Sequence, residues 1–211
     1  MSIRATAISL IILLLLGIPG FIFIKNAVSR TDFGIYYKNS HDVSIYDPYE
    51  TEGDGNRKLV TTATRSGEVK RLLKNHPYIV TYTGNDGYAN GEIKVNTTSS
   101  SQVKINPYYS KDRLKPMAAA VFPQVNKVFS SVYATVSDYQ LNKGQLYHWG
   151  DWYGTTLAYT GNDTFNDDVL RVVFHKENDI WTLKTRPPDI TLSKFIYKDV
   201  PFDVLSAVNK L

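Results

Sequence analysis

Two hydrophobic patterns divide this chain. Residues 5–24 read ATAISLIILLLLGIPGFIFI and carry no charge. Helices of soluble domains keep one face polar and charged, and this run does not. At 1.5 Å rise per residue, about 20 apolar residues cover about 30 Å, the hydrocarbon thickness of a bilayer. The pattern predicts a short tail over 1–4, a transmembrane anchor over 5–24 and a polar linker over 25–32. Pro19-Gly20 bends such a span, which a membrane helix tolerates. A cleaved signal peptide is the competing reading. It needs an apolar core of about 7–15 residues and a small-x-small cleavage site. Here the run is longer, and Lys25 stands where cleavage after Ala27 wants a small residue. The uncleaved anchor is favoured.

Beyond the linker the pattern shortens to strand and helix periods. Alternating apolar residues predict strands over 33–37, 43–46 and 59–64, with a polar exposed loop over 47–58. SGEVKRLLKN, residues 66–75, reads as a short helix: Ser66 caps it, Val69, Leu72 and Leu73 share a face, and Pro77 follows. Strands over 78–82 and 92–96 make a hairpin, and a subdivision falls near 98–111. Residues 112–133 read as a helix with a stripe of Met117, Ala120, Val121, Val125, Val128 and Phe129, which Pro123 kinks or splits. Strands follow over 152–159, 169–174 and 180–184. PFDVLSAVNKL closes the chain as a helix with Val204, Leu205 and Val208 inward and Pro201 in its first turn. The expected fold is α+β: one transmembrane helix, then an antiparallel-sheet domain over 33–211 with a packed helix.

The pentapeptide YTGND occurs at 82–86 and again at 159–163. Aligning the copies sets Val80 with Leu157 and Ile93-Lys94-Val95 with Leu170-Arg171-Val172. With a helix expected before each, two pseudo-repeated helix-plus-hairpin units are one reading. The favoured reading is a turn solution used twice, because Gly, Asn and Asp supply the positive φ and local caps that hairpin loops need. Asn162, Asp163, Asn166, Asp167 and Asp168 lack the spacing and distal Glu of a calcium loop.

Composition narrows the chemistry. The net charge is +4 with bases scattered among acids, so no nucleic-acid footprint is visible. The chain has no cysteine, which excludes disulfides, thiolate zinc sites and a cysteine nucleophile without fixing the compartment. His41, His76, His148 and His175 show no HxH or HExxH spacing, and no phosphate loop, dinucleotide fingerprint or GxSxG elbow occurs. No metal and no cofactor are expected. Asn96 and Asn162 begin N-x-T sequences that matter only in a glycosylating pathway.

The densest candidate is YHWGDWYG, residues 147–154. Tyr147, Trp149, Trp152 and Tyr153 are candidate ligand or partner contacts, since aromatic faces bind sugars and peptides. His148 and Asp151 are candidate catalytic residues as an acid–base pair. On a regular strand they face opposite ways, so pairing needs a bulge at Gly150. The plainer reading is a strand whose alternate aromatics enter the core.

The order of a helix followed by GDWYGTTLAY, VLRVVFHKEN and IWTLKTRPP resembles the cystatin-like or nuclear-transport-factor-like α+β class. Membrane-tethered members of that class include bitopic assembly subunits of type IV secretion systems, so the resemblance implies a scaffold role. The expectation is a single-pass, membrane-anchored, extracytoplasmic binding or scaffolding protein. Its partners are the bilayer through 5–24 and an envelope protein or glycan, with no nucleic acid. Lys25, Arg30 and Lys38 after the span argue for a cytoplasmic domain, but long domains translocate largely regardless of charge. Abundant Tyr, Thr and Asn suit export. The alternatives are a membrane-tethered hydrolase or carbohydrate-active domain using 147–154, and a cleaved secreted binding protein.

Overall fold

The structure, a computed structural model, describes residues 30–133, 138–161, 168–186 and 188–211. The tail, the anchor, linker residues 25–29 and the turn residues 162–167 lie outside them. Among the described residues no helix is long and apolar enough to cross a membrane. They form a sheet-rich α+β fold with antiparallel sheets and two helices. The chain divides into two compact units. Unit 1 is Met1–Gly84 with Asn90–Asn106, described from Arg30 on, and unit 2 is Asn85–Ala89 with Pro107–Leu211.

Unit 1 contains β1 (Arg30–Tyr37), β2 (Ser40–Thr51), β3 (Arg57–Ala63), β4 (Glu68–Leu73), β5 (Pro77–Gly84), β6 (Gly91–Asn96) and β7 (Gln102–Ile105). The sheets run β4-β1-β7 and β3-β2-β5-β6; β1 and β7 are parallel and the other pairs antiparallel. Residues two apart on a strand point the same way. Phe33 and Ile35, Val43 and Ile45, Tyr78 and Val80, and Val103 and Ile105 accordingly meet in one core.

Three expectations fail in this unit. Residues 66–75 are not a helix, because Glu68–Leu73 forms β4 against β1. Leu72 is 1% exposed, whereas Val69 at 56% and Leu73 at 39% stay outside. The i, i+3, i+4 spacing was a coincidence, and pairing with β1 overrode it. The loop expected over 47–58 shrinks to residues 52–56, because β2 runs to Thr51 and β3 starts at Arg57. Residues 30–32, assigned to the linker, begin β1.

Unit 2 contains α1 (Lys111–Val132), β8 (Tyr139–Leu141), β9 (Gln145–Tyr147), β10 (Trp152–Tyr159), β11 (Leu170–Glu177), β12 (Ile180–Leu183) and α2 (Phe202–Val208). Its sheet runs β12-β11-β10-β8, with β9 also paired to β10. The sheet is covered on both faces. Tyr153, Leu157, Val172 and Phe174 pack with Leu114, Ala118, Val125 and Phe129 of α1. Trp152 and Val173 pack with Val204, Leu205 and Val208 of α2. Double coverage explains why five of the first six residues of β10 are buried.

In α1 the buried residues are Leu114, Ala118, Val125 and Phe129, so the stripe is centred slightly off the expected one, and Ala120 is exposed. Pro123 does not split the helix. Pro116 and Pro123 both lie on its exposed face, where water can take the freed carbonyls. Gly154 faces α2 so closely that a Cβ there would sit 2.2 Å from Cγ2 of Val208.

The two hairpins share a ladder register: Val80 pairs with Ile93, and Leu157 with Leu170. The helix-plus-hairpin repeat does not hold, because β4 rather than a helix precedes the first hairpin.

Candidate functional site

The aromatic segment is a turn, not a bulged strand. Trp152 pairs with Tyr147, so His148, Trp149, Gly150 and Asp151 close the β9–β10 hairpin. His148 at φ 57° and Gly150 at φ 83° supply the left-handed residues that reverse the chain. The Gly150 amide donates to the Tyr147 carbonyl at 3.0 Å. Strand alternation therefore stops at Tyr147 and restarts at Trp152.

That break sorts the six candidates. Trp152 is 6% exposed and faces α2. Tyr153 is fully buried on the α1 side, where its Oη accepts the Gly144 amide at 2.7 Å. Burial pushes the Tyr153 phenol up, and that amide bond pulls part of the shift back. Tyr147 is half-buried beside the α2 cluster, its hydroxyl has no hydrogen-bond partner among the described residues, and burial pushes its pKa up to about 12. Trp149 stays 40% exposed at the tip of the turn.

His148 and Asp151 do not pair. His148 Nε2 lies 2.7 Å from Oδ2 of Asp203 in α2, and only 8% of the His148 side chain is exposed. Asp151 instead sits beside β11. Its Oδ2 is 3.9 Å from His175 Nε2, and its carbonyl accepts the Lys176 amide at 2.8 Å. His175 stacks on Trp152 at 3.9 Å and meets Glu177 through Nδ1 at 2.8 Å. Lys184 and His175, each hydrogen-bonded to Glu177, hold its carboxyl below the usual range. Among the described residues no group of three His, Asp or Glu side chains is arranged to hold a metal.

The residues surrounding Trp149 come from distant sequence. Its indole Nε1 donates to the Pro107 carbonyl at 3.1 Å. The Tyr108 ring stacks on His148 at 4.0 Å and 6°, and meets Trp149 edge-on at 4.7 Å. The Tyr109 amide donates to the His148 carbonyl at 2.9 Å. Beside them the Arg113 guanidinium lies 3.6 Å over Tyr109, and Tyr88 packs against that ring. Tyr108, 41% exposed, and Trp149 thus form a fixed aromatic surface backed by His148 and tied through Asp203 to α2. Sequence reasoning missed Tyr108 and Asp203. They stand 40 and 55 residues from His148, and no local pattern links them.

Unit 1 holds a further pair, a buried Asp47 and a half-buried His76. Asp47 Oδ2 lies 2.8 Å from His76 Nε2, and Asp47 Oδ1 accepts the Tyr49 amide at 2.8 Å. Burial raises the Asp47 carboxyl, but the Tyr49 amide, His76 and the Glu50 amide together outweigh it and leave it lowered.

Neither a family model, a curated protein nor a solved structure matches this chain.

Proposed function

We propose that this chain is a single-pass membrane protein whose extracytoplasmic α+β portion binds an envelope protein or glycan through the Tyr108–Trp149 surface. One observation carries the reading. Trp149 is held by an indole hydrogen bond and by Tyr108, yet 40% of it faces solvent, while Trp152 and Trp181 are buried. A rigid aromatic face loses little entropy on binding, and such residues carry a large share of interface energy. Support for the membrane part is the uncharged run over 5–24. Helix α1 lying on one face of an antiparallel sheet supports the cystatin-like or nuclear-transport-factor-like reading of unit 2. The hydrolase alternative is disfavoured, because it was motivated by a His148–Asp151 pair and His148 engages Asp203.

The test is recovery of the full chain from native membranes after carbonate extraction, followed by comparison of the partners retained by wild type, Trp149→Ala and Tyr108→Ala. Each variant is expected to lose partner retention by about tenfold or more with little change in melting. A Trp149→Ala variant that keeps its partners, or loses the roughly 3–5 kcal/mol of stability typical of a buried Trp, overturns the binding surface. A wild-type protein released by carbonate and beginning near Val28 overturns the anchor.

A further inference from the structure

We infer that a cleft in unit 2, between α1 and the β8–β9 connector, binds a small amphiphilic carboxylate. The cleft has a volume of about 390 Å³ and is walled by Lys111, Lys115 and Lys143 over Leu114, Ala118 and Leu146. A neighbouring hollow of about 280 Å³ shares Lys115, Ala118 and Lys143 and reaches Phe122 and Tyr153. Volumes of roughly 300–1,000 Å³ are those of small-molecule sites. The site is unrelated to the Tyr108–Trp149 surface and does not depend on that reading.

The connector lies close against β10. The Gly144 amide is fixed to the Tyr153 hydroxyl at 2.7 Å. A Cβ on Gly144 would lie 2.3 Å from the Gly154 carbonyl oxygen and 2.9 Å from Cε1 of Tyr153. Only glycine allows the chain to lie this flat on β10, and no side chain at 144 enters the cleft.

Charge selects the occupant. Lys111 and Lys115 are four apart on α1 and share a face, and Lys143 comes from the facing wall. Among the described residues none of the three ammonium groups has an ion-pair or hydrogen-bond partner. The lining contains one acid, Asp112, in the first turn of α1. Like charges at i, i+4 repel, and the protein offers these nothing in return. Below them the floor is apolar, with Leu114, Ala118 and Leu146 buried. A ligand with a carboxylate at one end and a short apolar body at the other satisfies both features.

The experiment uses the full-length chain in nanodiscs of zwitterionic lipid, with empty nanodiscs subtracted. Binding of labelled octanoate is measured by equilibrium dialysis and compared with acetate and octanamide. Octanoate is expected to bind saturably, and acetate and octanamide each at least about tenfold more weakly, because each lacks one half of the match. Lys115→Gln/Lys143→Gln should lose about tenfold in affinity, whereas Lys115→Arg/Lys143→Arg should stay close to wild type. Both side chains replaced are exposed lysines, so melting temperatures should not move. Absent octanoate binding at millimolar concentration, equal binding of octanamide, equal binding of acetate, or full affinity in the double Gln variant each overturns the proposal.

Discussion

Replacing Gly154 with alanine places a methyl 2.2 Å from Val208 Cγ2 and 3.1 Å from Tyr147 Cε2. Carbon atoms pack best at about 3.5–4.0 Å, so α2 must retreat by more than about 1 Å or Val208 must leave its rotamer. Val208 is fully buried and has no open side to move into. Overpacking of this kind costs about 1–3 kcal/mol. Val208→Ala alone removes two buried carbons at about 0.8 kcal/mol each and adds a cavity term. In the double variant the clash with residue 208 is relieved, because its nearest remaining atom is Cβ at 3.4 Å, an ordinary contact, and only the 3.1 Å approach to Tyr147 Cε2 is left. The two changes should therefore be less than additive by about 1–2 kcal/mol, within the range for touching residues. Urea titration followed by tryptophan fluorescence measures this, since Trp149, Trp152 and Trp181 all lie in unit 2. Additivity to within about 0.5 kcal/mol would refute the packing of α2 on β10.

Two more predictions concern single residues. Gly87 is held at φ 77°, so Gly87→Ala should destabilise unit 2 by about 1–2 kcal/mol and Gly87→Asn by less; an Asn variant no better than Ala in the same fluorescence assay counts against a strained backbone. Asp47 has its carboxyl lowered in the folded chain, so its contribution is fully present above the ordinary carboxylate value of about 3.9 and fades as pH falls through the lower folded value. Asp47→Asn should therefore be less stable than wild type at about pH 6, with the gap closing towards about pH 2 in urea titrations read by far-ultraviolet circular dichroism; a gap that does not change with pH contradicts the His76 and amide contacts.

Unit 2 was the more legible half of the sequence. Its strands β10 and β11 each bury several residues between polar turn segments, and Val204, Leu205 and Val208 of α2 point inward as their spacing implies. Unit 1 was less legible because no strand in it supplies more than two buried residues to its core. In β4 a single residue, Leu72, enters the core, and one buried position cannot distinguish a period of two from one of 3.6. Within the candidate site, the aromatic density of 147–154 was plain, but its geometry was not. Alternation put Trp149 and Tyr153 on one face, whereas the four-residue turn exposes Trp149 and buries Tyr153. The partners of His148 are tertiary facts, contributed by Asp203 and Tyr108, and a window around residue 148 contains neither.

The repeated pentapeptide shows how far local identity reaches. Positions 80 and 157 are 77 apart, as are 93 and 170, and in both hairpins these positions face each other. The shared residues thus accompany a shared ladder register. Past the pentapeptide the match stops at a decisive place. The positive φ in the first loop belongs to Gly87, not to the repeated Gly84, and the residue 77 places further on is Thr164. A β-branched side chain is strained at such a φ, so the sequence match stops at the residue that sets the path of the first loop. The first loop also delivers Tyr88 to Tyr109 and Arg113 within unit 2. A duplicated recognition loop requires the same backbone path and the same presented side chains in both copies. What the copies have in common among the described residues is the strand register beneath the loop, and the expectation that the repeated Gly, Asn and Asp supply the positive φ fails in the first copy, where Gly87 alone carries it.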